Sequence, residues 1–291
     1  MGQKDISEKV LLDYNDVFAD ILNVCIYGGK EVVQPEELVN SAVHSQYKSE
    51  DGKLHELERD VTKFWKKQNT TIAMYGVENQ IAVDKKMPFR IIGYDGASYR
   101  GQLLNKVENM VPVVTFVLYF GTEERWNKHL SIKECLDIPK DLEEYVNDYK
   151  IHVIEVAWLT DEQLKQFKSD FGIVANFFVQ KRKNKHYRPD DPREIKHVDE
   201  VLKLLSVMTG DKEYETILYN NQESGEVKNM CSVAQRLIRE GREEGIQQGI
   251  QQGIQVLVGV LRKVGKTDEE ILQLIMEESK LEREKVLEYL E

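Results

Sequence analysis

Arg59-Asp60-Val61-Thr62-Lys63-Phe64-Trp65 and Thr70-Thr71-Ile72-Ala73-Met74-Tyr75-Gly76-Val77-Glu78, separated by Lys66-Lys67-Gln68-Asn69, decide the fold of this chain. Both stretches are rich in β-branched and aromatic residues, and the polar tetrapeptide between them is turn-like. They read as the two strands of a hairpin. With a three-residue loop centred on Asn69, Asp60 falls opposite Glu78, and Gln80, two residues on, points to the same face. Like charges opposite each other on a sheet repel, so a divalent cation between the two carboxylates would explain their placement. A slip of one residue would send them to opposite faces.

Outward from the hairpin, residues 7 to 27 carry an apolar stripe of Leu11, Val17, Phe18, Ile21, Leu22 and Cys25, which predicts a helix ended by Gly28-Gly29. Glu31-Val32-Val33 reads as a short strand, and residues 35 to 52 as loop with one irregular strand. Lys86 to Leu104 predicts a helix with Pro88 in its first turn. Val111 to Phe120 and Ile151 to Leu159 are continuous apolar runs, as expected of strands buried on both faces. Further helices are expected from Asp161, over 171 to 180 and over 194 to 208, with a polar loop at 181 to 192. The pattern is that of an α/β protein with a mixed sheet flanked by helices.

The ordered series Leu12-Asp13-Tyr14-Asn15-Asp16-Val17-Phe18, Arg59-Asp60-Val61, Val77-Glu78-Asn79-Gln80, Met87-Pro88-Phe89-Arg90 and Pro112-Val113-Val114-Thr115-Phe116 resembles the PD-(D/E)XK nuclease superfamily, and within it the Rpn family of recombination-promoting, transposase-like nucleases. The resemblance covers roughly residues 10 to 160. It implies a restriction-endonuclease-like α-β-β-β-α-β core and a Mg²⁺- or Mn²⁺-dependent DNA endonuclease. Asp60 and Glu78 would bind the metal, Gln80 would position water or phosphate, and Asp16 is the candidate extra acid, with Asp20 one turn later as its competitor. The superfamily's usual Pro before the Asp is Arg59 here, and its usual Lys is Gln80, as is typical of the Rpn branch. A nuclease-like scaffold that binds nucleic acid or protein without cutting is the alternative.

Other residues carry weaker signals. Arg90 and Tyr94 share a helix face, and Arg90 would either hold a phosphate in its fork or pair with the acidic strands. Lys181, Arg182, Lys183 and Lys185 form the one dense basic stretch, a candidate phosphate contact or simply a solvated loop. The six histidines show no metal spacing, and no Walker A or Rossmann glycine pattern is present. The net charge of −11 argues against a simple electrostatic nucleic-acid binder, though not against a metal-dependent nuclease. Three widely separated cysteines, no signal core and no long apolar run point to a cytoplasmic protein without a membrane segment.

From Gly241 a Gly-Ile-Gln-Gln repeat of period four sets slowly winding Gly and Ile stripes on a helix. It reads as an element of self-association or as a low-complexity spacer. Thr267-Asp268-Glu269-Glu270 is a capping box opening a helix through Met276, and 279 to 290 reads as a last short helix. The expected organisation is a nuclease-like domain over 1–160, a helical region with the basic loop over 161–238, and a helical tail over 239–291 that makes the chain a homo-oligomer.

Overall fold

The computed structural model describes residues 10–41, 45–48, 54–57, 60–68, 70–225, 227–279 and 283–287. Arg59, Asn69 and the end of the expected last helix lie outside them. Residues 1–233 and 234–291 form two compact units.

In the first unit, α1 (Val10–Asp13) and α2 (Asn15–Cys25) replace the single expected helix, with a break at Tyr14. Gly28 and Gly29 follow in left-handed conformations, which glycine adopts without steric cost. A five-stranded sheet has the order β1 (Leu38–Asn40), β4 (Val61–Lys67), β5 (Thr70–Gln80), β6 (Val113–Tyr119) and β7 (His152–Glu155). β1, β4 and β5 are antiparallel neighbours, whereas β6 and β7 run parallel to β5. β2 (Ser45–Lys48) and β3 (Leu54–Leu57) form a separate antiparallel pair. The fold is thus mixed α/β.

The hairpin register matters most for the site. Val61 pairs with Val77, Lys63 with Tyr75 and Trp65 with Ala73, the alignment expected from the sequence. Beyond Trp65 the ladder shifts: Lys66 pairs with Thr71 and Lys67 with Thr70. Ile72 is the extra residue of a bulge, and the loop is two residues long rather than three. The bulge lies at the hairpin tip and leaves the pairing near Asp60 unchanged.

Two faces follow from the pairing. Val61, Lys63, Trp65, Tyr75 and Val77 share the face on which Lys63 meets Asn15 and Phe18 of α2, and Tyr27, in the turn after that helix, shares a hydroxyl hydrogen bond of 2.7 Å with Tyr75. Glu78 and Gln80 lie on the other face, in register with Val117 and Tyr119 of β6. Helix α3 (Met87–Leu104) covers that face by burying Met87, Ile91 and Tyr94 against Val117, Tyr119 and Trp126.

Three further elements differ from expectation. Glu31 to Val33 is not a strand: the Asn23 side chain takes up the backbone N–H groups of Val32 and Val33 and donates to the Val33 carbonyl, so no ladder partner is needed. The second apolar run is a strand only to Glu155, where its partner β6 ends opposite it, and Val156–Trp158 then forms a 3-10 turn. The helix expected from Glu194 begins at Val198, because Asp170 binds the backbone N–H groups of Lys196 and His197.

Short α4 (Asp161–Leu164) opens with a Thr160–Gln163 capping box. Helix α5 (Phe171–Lys183) packs Phe171 and Phe178 on Phe120 at the end of β6, and Asp20 of α2 binds the backbone N–H groups of Lys168 and Ser169. The segment after residue 160 therefore shares the sheet domain's core. α6 (Val198–Thr209) ends at left-handed Gly210, and α7 (Glu213–Ser224) follows. In the second unit, the long helix α8 (Met230–Lys263), which begins in the first, runs on through every repeat glycine, and α9 (Asp268–Ser279) and α10 (Arg283–Leu287) fold back beside its end. Ile254, Val258, Ile271, Leu272, Ile275 and Val286 make that unit's core.

Candidate active site

Glu78 sits two residues from the end of β5 and is only 2 % exposed. A buried carboxylate needs a compensating partner. Arg90, in the first turn of α3, supplies one, with Nη2 3.0 Å from Glu78 Oε2. Asp60 immediately precedes β4, and its Oδ2 accepts the backbone N–H of Asn79 at 2.7 Å. The sheet register thus brings Asp60 to the residue next to Glu78. Gln80 closes β5, with its backbone carbonyl accepting the Phe120 N–H at 2.8 Å and its side chain on the Glu78 face.

Helix α3 braces this corner. Asp84 starts the turn before the helix and lies 3.4 Å from Arg90 Nη1. Arg90 also donates to the Tyr94 hydroxyl through Nε at 3.3 Å and Nη2 at 3.1 Å. Burial works against the Arg90 charge, but Glu78 and its other partners outweigh burial and raise the guanidinium pKa. Burial and the Glu78 charge push the Tyr94 hydroxyl above its ordinary range, with Asp60 adding to the effect. One residue on, buried Asp95 accepts from Thr115 of β6 and from the Tyr149 hydroxyl, which pins the helix to the sheet. The sequence reading missed Asp84, Asp95 and Tyr149; the one available signal was an acid just before a Met-Pro helix start.

The other candidate residues lie elsewhere. Asp16 is on α2, the helix that covers the opposite face of the sheet, and its carboxylate is 3.7 Å from His197 Nε2. Lys181, Arg182 and Lys183 form the last turn of α5 rather than a loop, since Phe177 and Phe178 hold the helix down and cations suit a helix C-terminus. Lys183 pairs with Asp161 and Lys185 with Glu123. Among the described residues no group of three or more His, Cys, Asp or Glu side chains gathers as a metal cluster.

Residues 55–211, more than half of the chain, match the family model described as "Putative transposase, YhgA-like". The chain belongs to the YhgA-like transposase family. Its matched span contains Asp60, Glu78, Gln80, Arg90 and the α5 cations, and membership points to a function connected with mobile DNA. Searches of curated proteins and of solved structures returned no match. No helix among the described residues is long and apolar enough to cross a membrane.

Proposed function

We propose that this YhgA-like protein is a divalent-metal-dependent DNA endonuclease of the PD-(D/E)XK type, in its Rpn branch, with a restriction-endonuclease-like core. The observation that carries the reading is the meeting of Asp60 with the Glu78-Asn79 segment, where the Asn79 N–H is 2.7 Å from Asp60 Oδ2. The donor set of two carboxylates and a carboxamide is all oxygen, which fits Mg²⁺ or Mn²⁺, and Mg²⁺ commonly takes only one or two protein carboxylates. Asp60 and Glu78 would hold the ion, which when bound polarises a phosphoryl oxygen and acidifies a water.

The remaining work falls to the chain itself. The Asn79 N–H orients Asp60, and Arg90 pairs with the buried Glu78 carboxylate and holds its position. Gln80 can donate to a phosphate oxygen and accept from a water, but it cannot supply a charge. Arg90 is therefore the cation in contact with Glu78, and with Nε and Nη2 bonded to Tyr94 and Glu78 it would reach a substrate phosphate through Nη1, which it shares with Asp84. The same Arg90–Glu78 pair favours a second reading, a scaffold that binds nucleic acid without cutting it, because the Glu78 carboxylate already has a cationic partner.

Plasmid nicking in Mg²⁺ or Mn²⁺, with and without EDTA, separates the two. Cleavage should need the ion and fall at least a hundredfold in Asp60→Ala, roughly the effect of removing one key catalytic group. Calorimetric titration with Mn²⁺ should show a site weakened in Glu78→Gln. Cleavage that survives EDTA or the Asp60 substitution would sink the metal mechanism, and a folded wild-type chain that binds DNA without nicking it would establish the scaffold.

A further inference from the structure

A polar cavity lies beyond the acidic corner. Thr122, Glu123, Trp158, Lys181, Arg182 and Lys185 line about 320 Å³ between the turn after β6 and the last turn of α5. Contacts lead to it from the acidic site: Gln80 pairs with Tyr119 in the sheet, and the Tyr119 ring stacks on Trp158 at 6.1 Å with planes 7° apart. Both places thus sit at the carboxyl ends of the parallel strands, where open α/β sheets bind ligands.

The cations in this cavity are unevenly neutralised. Lys185 pairs with Glu123 at 3.0 Å, but both side chains are more than 70 % exposed, so the pair is weak. Arg125, 5.8 Å from the Trp158 ring centre, is paired with Glu155. Lys181 and Arg182 have no carboxylate partner among the described residues. Arg182 is also held in place: its Nε donates to the Ala157 carbonyl at 2.7 Å, and its guanidinium lies 5.4 Å from the Trp158 ring centre. That leaves its two Nη groups as donors at a fixed orientation, the arrangement that suits an oxyanion of phosphate. In a chain of net charge −11, two uncompensated cations lining one cavity mark where a polyanion is tolerated.

We propose that this cavity is a phosphate subsite for the backbone of a DNA strand whose scissile phosphate lies at Asp60 and Glu78. The identity of the strand rests on the nuclease reading above; the subsite itself does not need cleavage. Arg182 and Lys181 contact non-bridging phosphate oxygens, Trp158 stiffens Arg182, and Glu123 limits affinity at the rim.

Anisotropy of a labelled DNA duplex with the full-length chain, titrated in EDTA at several salt concentrations, tests it. Lys181→Gln/Arg182→Gln should bind roughly tenfold more weakly, with a log–log salt slope smaller by about two, one per lost phosphate contact. Lys181→Gln alone, at a side chain whose contact is the face of Phe177, should lower the slope by about one and serves if the double variant does not fold. Glu123→Gln should bind more tightly. Unchanged affinity and slope in the lysine and arginine variants, weaker binding by Glu123→Gln, or no duplex binding by wild type overturns the subsite. So does displacement of the duplex by inorganic phosphate at matched ionic strength, which would make it a site for free phosphate. Normal cleavage by Asp60→Ala alongside weakened binding in the double variant would sink the nuclease reading and keep the subsite. Lost cleavage in Asp60→Ala alongside unchanged binding would do the reverse.

Discussion

Lys63 and Glu78 are buried charges of opposite sign on one hairpin, and they face away from each other. Each is tolerable only because the opposite layer supplies partners. For Glu78 the partner is Arg90, which the sequence could suggest because the Met-Pro-Phe-Arg helix start follows so closely. For Lys63 the partners are the Asp13 carbonyl at 2.7 Å, Asn15 Oδ1 at 2.8 Å, Asn40 Oδ1 and the Asp13 carboxylate at 3.7 Å. They come from two distant segments, so nothing local marked this lysine as buried. Burial pulls its pKa below the ordinary value, and Asp13 offsets only part of that. The native state therefore releases this proton at a lower pH than the unfolded chain does. Between the native pKa and the unfolded value of about 10.4, the unfolded chain binds more protons and stability rises with pH. Lys63→Met should lose that rise in urea denaturation between pH 8 and 10.5. At pH 7 it should be about 3 kcal/mol less stable, since three oxygens lose a charged donor. A methionine variant as stable as wild type would show that the lysine is not structurally required.

At the level of elements, what alternates or repeats was legible and what depends on a distant side chain was not. β4, β5 and α3 followed from β-branched spacing and a Met-Pro start, and the Val61–Val77 register followed from the turn, despite the Ile72 bulge. The same register made Asp60, Glu78 and Gln80 a visible set. Arg182 and Trp158 were different, because their contact joins two elements that no local pattern connects. The segment at Glu31 failed for a related reason: its β-branched valines suit a strand, but the Asn23 side chain makes the bonds that a neighbouring strand would have made. Asn23 is 9 % exposed and these three bonds span 2.8–2.9 Å; Asn23→Ala leaves the Val33 N–H and carbonyl needing new partners, while the Val32 N–H keeps the Lys30 carbonyl at 2.9 Å. We expect a loss of about 2–3 kcal/mol, and faster hydrogen exchange at Val32 and Val33 than in the β4–β5 ladder. A loss below about 0.5 kcal/mol, the level of an ordinary surface change, would mean that the segment is held by other contacts.

For the whole molecule, the division at residue 233 separates the acidic and basic sites from a helical unit that carries neither. The repeat had suggested a helix needing a partner, since each interior glycine costs roughly 1 kcal/mol of helix propensity relative to alanine. Part of that partner lies in the same chain: Ile254 and Val258 are buried with α9 and α10. The earlier residues of the stripe are not covered in this way, with Ile246 51 % and Ile250 43 % exposed. The uncovered stretch is long, glycine-rich and apolar along one winding line, so a second copy of the helix could follow it closely. We expect deletion of residues 239–291 to lower the mass measured by light scattering. Met230 and Val233, which are buried, remain in the truncated chain, so the first unit should keep its fold. Mn²⁺ affinity should be unchanged, because Asp60, Glu78 and their braces all lie before residue 150. A truncated chain that keeps the full-length mass would place the association surface in the sheet domain. Lost metal affinity in a truncated chain with a native circular dichroism spectrum would instead show that the tail completes the site.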